Sequence, residues 1–160
     1  MKAVCDASAL IALSRINSLS LLQQQFTHLI IPDAVYEEFS HGKDKATTKK
    51  ITQARWIQRK SVKDRATIKQ QRHPSLHLGE SEVIALAKEI EADIVIMDDA
   101  HARKIAEAEG LRVVGLLAIL LDAKRNRIVG EIRPLLEALR QKGFFMDEDL
   151  YTLLLHKAGE

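Results

Sequence analysis

Cysteine is nearly absent: Cys5 is the only one in 160 residues. One thiol excludes an intrachain disulfide scaffold and a Cys-based zinc finger. Aromatic residues make up only 4% of the chain, so the core must be built from Leu, Ile, Val and Ala. No apolar run reaches the roughly 18 residues that span a bilayer. The opening Met-Lys-Ala-Val-Cys-Asp lacks the apolar stretch of a signal peptide. The expectation is a cytoplasmic protein without membrane contact. No repeat and no low-complexity linker divides the chain. With 46% hydrophobic residues it can fill a real core as one domain, residues 1–160.

Charge is distributed unevenly. Residues 41–75 hold eleven Lys or Arg and two acids, a local charge of +9 within a chain whose net charge is +2. Such a block is either an electrostatic footprint for a polyanion or a solvated face that keeps the protein in solution. Lys49, Lys50 and Arg59 are the candidates for RNA contact. The segment reads as a basic insertion or flap.

Short apolar segments alternate with helix-period ones. Strands are expected at 2–5, 29–31, 56–62, 93–97 and 112–114. Helices are expected at 8–15, 18–25, 33–40, 45–54, 63–72, 80–91, 100–109, 116–124, 132–141 and 147–156, with Ser8 and Ser18 as caps of the first two. Short buried strands between helices argue for an α/β fold whose parallel sheet is covered on both faces.

Ligands of such sheets bind beyond the carboxyl ends of the strands. Asp6 and Ser8 follow the first strand; Asp98 and Asp99 follow the strand ending Ile94-Val95-Ile96-Met97. A strand-end Asp also serves as a helix N-cap, and that reading stands beside the chemical one. At about 100° per residue, Glu38 falls at the edge of the face set by Val35 and Phe39, whereas Glu37 falls opposite. In the helix beginning near Glu80, the face of Val83, Ile84, Leu86, Ala87 and Ile90 includes Glu80 and leaves Glu82 well outside. A first-turn Glu also complements the helix dipole. Gathered carboxylates need a counter-charge, and Mg²⁺ or Mn²⁺ suits oxygen donors. An acidic metal pocket beside a basic segment describes a nuclease.

These residues resemble the PIN-domain family, in a branch related to VapC-type toxins. The likeness is carried by Val4-Cys5-Asp6-Ala7-Ser8, Ile31-Pro32-Asp33-Ala34-Val35-Tyr36-Glu37-Glu38-Phe39, Leu78-Gly79-Glu80-Ser81-Glu82 and Ile96-Met97-Asp98-Asp99 followed by Ala102-Arg103. It continues through Gly143-Phe144-Phe145 and spans nearly the whole chain. The resemblance implies a three-layer α/β/α sandwich with a mostly parallel central sheet. It implies Mg²⁺- or Mn²⁺-dependent cleavage of RNA by Asp6, Glu38, Glu80 and Asp98, with Asp99 the alternative fourth ligand. Ser8 and Arg103 would position substrate. Met97 stands where Thr or Ser is often found. The branch further implies a homodimer and a small antitoxin protein as partners.

Cys5 reads as core, Trp56 as a buried strand start, and Leu150, Leu153 and Leu154 as a stripe facing the core or a dimer partner. His73 and His77 flank Pro74, which argues against a helical metal pair. Two competing functions remain. A haloacid-dehalogenase-like phosphatase would want a second Asp where Ser8 stands. A catalytically silent PIN-like module would bind RNA or protein without turnover.

Overall fold

The computed structural model describes residues 1–71 and 73–160, apart from the side chains of residues 67, 70 and 71. Arg72, the last basic residue of the 41–75 segment, lies outside the described residues.

The chain runs β1 (Lys2–Cys5), α1 (Ala7–Arg15), α2 (Ser20–Gln25), β2 (His28–Pro32), α3 (Asp33–Ser40), α4 (Lys45–Gln53), β3 (Ile57–Lys60), α5 (Arg65–Gln71), α6 (Leu78–Glu89), β4 (Ile94–Ile96), α7 (Ala100–Ala108), β5 (Val113–Val114), α8 (Leu116–Arg125), α9 (Arg133–Gln141) and α10 (Glu148–Ala158). The five strands form one sheet in the order β3-β2-β1-β4-β5. Every pairing is parallel, with Val4 opposite Ile30 on one side and Val95 on the other. Right-handed crossovers leaving β1 in the two directions put helices on opposite faces. Ala3, Val4, Cys5, Leu29, Ile31, Val95 and Ile96 are accordingly buried on successive residues, whichever face they point to. That is why these strands read as continuous apolar runs.

The connections leave β1 towards β2 and β3, then return to start β4 on its other side. The crevice between the carboxyl ends of β1 and β4 is therefore the topological switch point of the sheet. The Asp6 N–H donates to Ile96 O at 3.0 Å and ties the two strand ends together.

Several local expectations need correction. Asp6, not Ser8, caps α1: its carboxylate accepts from the Ala9 N–H, so the helix starts at Ala7 and Ser8 is left exposed. No side chain caps α2; the Ser18 hydroxyl donates instead to Ile16 O. The helices and edge strand expected in residues 41–75 are present as α4, α5 and β3, the last paired in register with β2. In α10, Leu154 and Leu155 turn inward and Leu153 is 48% exposed. No helix among the described residues is long and apolar enough to cross a membrane.

Candidate metal and nucleic-acid site

Asp6 is the most constrained group of the crevice. It sits one residue beyond β1 and is only 5% exposed. Its Oδ1 accepts from the Ala9 N–H, and its carboxylate also accepts from the Asp98 backbone N–H. Burial pushes its carboxyl up to about 7; the hydrogen bonds pull against this, and the charges of Asp98 and Glu38 add to the rise. Asp6 is thus a helix cap and a member of an acid cluster at once.

Asp98 follows β4 across the switch point. Its Oδ1 accepts from the Leu116 N–H at 2.8 Å, which anchors it to the start of α8. Its Oδ2 is buried with no hydrogen-bond partner among the described residues. Burial raises this carboxyl as well, against the Leu116 bond and the nearby Arg103 guanidinium. Asp99 turns the other way: its Oδ1 accepts from the Ala102 N–H and caps α7. The strand end thus sends one acid of the pair into the crevice and the other to the helix. Asp6 and Asp98 together push the buried thiol of Cys5 up, after burial itself.

Glu38 and Glu80 complete the group from α3 and α6. Glu80 is nearly buried, whereas the Glu38 side chain keeps 39% of its exposure. His77 sits between them, with Nδ1 3.2 Å from Glu38 Oε1 and Nε2 3.2 Å from Glu80 Oε1. His77 is also the N-cap of α6: Nδ1 accepts from the Glu80 N–H while Glu80 Oε2 accepts from the His77 N–H. Nδ1 serves one partner per protonation state, accepting from Glu80 N–H when bare and donating to Glu38 when protonated. Burial raises the Glu38 carboxyl; His77 opposes the rise and Glu80 reinforces it. The sequence signal for His77 is its position three residues ahead of Glu80, the spacing of a capping box.

The helical wheel puts Glu82 off the buried face, and the structure overturns this: Glu82 is fully buried. Helix α6 packs on β1, β2 and β4 and also on α3 and α5, so its polar side is covered too. There Glu82 Oε1 accepts from Arg65 Nε at 2.6 Å, and Oε2 accepts from the Ala34 N–H at 2.8 Å. Arg65 also reaches Glu37 Oε2 at 2.8 Å. Two of the basic residues expected to contact RNA are similarly engaged. Arg59 donates to Asp33 and stacks 4.2 Å over Tyr36; Lys50 donates to Ser14 O and Asn17 Oδ1. Lys49 is exposed on α4.

Two hollows share Ile11 and Arg15 of α1. One, of about 380 Å³, is lined in part by Ser8, Asp98, Lys142 and Phe144. The other, of about 230 Å³, includes Glu38 and Lys43.

The four acids are electrostatically linked through Asp6–Asp98, Asp6–Glu38 and Glu38–Glu80. Among the described residues no three His, Cys, Asp or Glu side chains close on a common point. The donor set nevertheless fits a hard cation: all four are carboxylates, and Asp98 Oδ2 is a buried acceptor without a donor among the described residues. Mg²⁺ keeps several waters and commonly binds through one or two carboxylates, so a closed three-ligand cage is not required.

Gly79 gives this cluster a direct test. A Cβ there would lie 2.2 Å from Glu38 Oε1, so Glu38 has to swing away. Gly79 lies in the first turn of α6, where alanine adds little helix propensity, and the added Cβ would also lie 3.2 Å from His77 Cε1. The expected outcome is a small change in thermal stability with weakened Mn²⁺ binding in a calorimetric titration. Undiminished Mn²⁺ affinity would remove Glu38 from the ligand set.

No curated protein matches the chain. A solved structure, a PilT N-terminus domain protein, SSO1118, from the hyperthermophilic archaeon Sulfolobus solfataricus P2, is similar in fold. It superposes with a TM-score of 0.54 at 18% identity, over 77% of this chain and 93% of that one. A family model described as a PIN domain matches residues 2–160. With its all-parallel sheet and acids at the switch point, the chain belongs to the PIN-domain family.

Proposed function

We propose that the protein is a Mg²⁺- or Mn²⁺-dependent endoribonuclease that hydrolyses RNA phosphodiester bonds at the crevice between β1 and β4. The observation that carries this is the electrostatic linkage of Asp6, Glu38, Glu80 and Asp98 from four segments, with three of the four carboxyls pushed upward. Burial costs of that kind are kept where a site needs them. PIN domains are usually metal-dependent nucleases, which supports the same conclusion.

When bound, the cation supplies Lewis acidity at the scissile phosphate and lowers the pKa of an attacking water. The protein's own residues do the rest. Asp6 and Asp98 lie on the two sides of the switch point as its acidic pair. The Ala9 and Leu116 N–H groups fix one oxygen of each, leaving the second oxygen of Asp98 for the cation. His77 holds Glu38 and Glu80 at one spacing. Arg103 offsets the charge of Asp98, and Ser8 opens onto the same hollow. The basic segment around Lys49 is proposed as an outer surface for RNA phosphates. The VapC resemblance adds a homodimer and a small antitoxin to the proposal; the chemistry needs neither.

The open spacing of the acids favours one second reading, a silent module that binds RNA or protein. A pool of structured and single-stranded RNA, incubated with Mn²⁺, Mg²⁺ or EDTA, separates the two. Cutting with either metal and none in EDTA is expected. Intact RNA in all three, with retained binding, would establish the silent module instead.

A further inference from the structure

We propose that the turn after α9 is a base subsite, in which an unpaired nucleobase of an RNA strand stacks on Phe145 beside Phe144 while Lys142 and Arg15 hold the flanking phosphates. The role of the subsite in cleavage rests on the ribonuclease reading above; the stacking itself does not.

Phe145 is 87% exposed, the most exposed large apolar side chain described. Both of its chain neighbours are held in place. Gly143 takes a left-handed φ of +90° and reverses the chain at the end of α9. The Phe144 N–H then donates to Leu139 O at 2.9 Å, and Phe144 turns into the hollow that holds Asp98. Met146 is buried, and Asp147 caps α10. In an extended segment alternate side chains point to opposite sides. With Phe144 and Met146 directed inward, Phe145 is directed out to solvent, next in the chain to the Lys142–Phe144 stretch that lines the hollow.

The surroundings select the occupant. Lys142 and Arg15 line the hollow with Asp98, and Arg15 continues into the hollow of Glu38 and Lys43, where its Nε donates to Asp44 at 3.3 Å while the side chain stays 43% exposed. Cations spaced around an acid cluster suit a chain of phosphates laid across it, and an aromatic face beside them suits a base. One exposed Phe is far short of the roughly 800 Å² per partner of a stable protein interface. A duplex keeps its bases stacked on each other and has none to offer.

The test uses the full chain in EDTA at low salt, so that binding is read without cleavage. A fluorescent unstructured RNA oligomer is titrated against wild type, Phe145→Ala, Phe145→Leu and Phe145→Trp. The Ala and Leu variants should bind about tenfold more weakly, and the Trp variant as tightly as wild type. Walking one abasic nucleotide along the oligomer should find a position that weakens wild type by a similar factor and leaves Phe145→Ala unaffected. Equal affinity of wild type and the Ala variant, full rescue by Leu, equal abasic penalties in both proteins, or no RNA binding by wild type would each overturn the subsite. Phe145-dependent binding by a protein that never cuts with Mn²⁺ would support the subsite and defeat only the nuclease.

Discussion

Asp6→Asn is expected to abolish metal-dependent cleavage and, without metal, to make the protein more stable at pH 8. The first effect follows from position. Asp6 is the buried acid at the switch point, and losing one preorganised electrostatic partner of a transition state costs roughly two to three orders of magnitude in rate. The second follows from the proton. The carboxyl titrates near 3.8 when unperturbed and near 7 in the fold. Below pH 4 it is protonated in both states and leaves stability untouched. Between 4 and 7 the unfolded chain releases its proton while the fold retains it, so stability falls as pH rises. Above 7 the fold carries the charge, and the loss levels off at about 4 kcal/mol, an upper estimate from the shift. Asn is neutral throughout and keeps an oxygen for the Ala9 N–H.

The variant should therefore melt with the wild type at pH 4 and above it at pH 8, by roughly 10 °C for a chain of this size. Adding Mn²⁺ at pH 8 should raise the wild-type melting temperature and leave the variant nearly unmoved, because a ligand stabilises only the fold that binds it. Identical melting curves at pH 8 would mean that Asp6 titrates as an ordinary carboxyl. Metal-dependent cleavage that survives the substitution would move the site elsewhere. The two readouts are independent, so a cluster that strains the fold without cutting RNA would be recognised as such.

How far the sequence reached differs by residue. The apolar runs at 2–5, 29–31 and 94–96 marked strands because each is buried on both faces, which leaves no alternation to misread. Helix α3 was legible to the residue, since Pro32 stops the strand before it. The places of Asp6 and Asp98 at strand ends were legible because each directly follows the apolar run of its strand. The strand order was not, because nothing local states that the chain returns past β1. The choice between Asp98 and Asp99 was also closed to the sequence. Both follow the same strand, and only the tertiary path of α8, which brings the Leu116 N–H to Asp98, separates them. The basic segment was legible as a charge count and misleading as a surface. Lys50, Arg59 and Arg65 hold partners distant in sequence, so part of the +9 is used inside the fold. Glu82 failed for the related reason that a helical wheel assumes a single covered face.

Glu82→Ala is expected to be the most destabilising single substitution outside the apolar core. It would strip the Arg65 guanidinium of its 2.6 Å partner and leave the Ala34 N–H, at the start of α3, without an acceptor. Removing one member of a buried pair costs about 3–5 kcal/mol, and the partial exposure of Arg65 points to the lower end, near 3 kcal/mol. Urea unfolding should show a lower midpoint with little change in slope. Glu82→Leu combined with Arg65→Met should recover the part of the loss that comes from the ion pair, since apolar replacement of both partners removes the desolvation cost along with the attraction, while the Ala34 N–H stays without its acceptor. A loss under about 1 kcal/mol in Glu82→Ala would mean the pair is solvated rather than buried. The stakes extend to the site. Arg65 binds Glu37 and Glu82, each within two residues of a proposed ligand, and Glu82 in turn holds the first turn of the helix that carries Glu38. One guanidinium therefore ties α3 to α6, the two helices whose Glu38 and Glu80 His77 bridges. The double apolar variant separates the two roles: partly restored stability with weakened Mn²⁺ binding would show that the ion pair positions the acids, whereas the same restoration with undiminished Mn²⁺ binding would reduce it to packing.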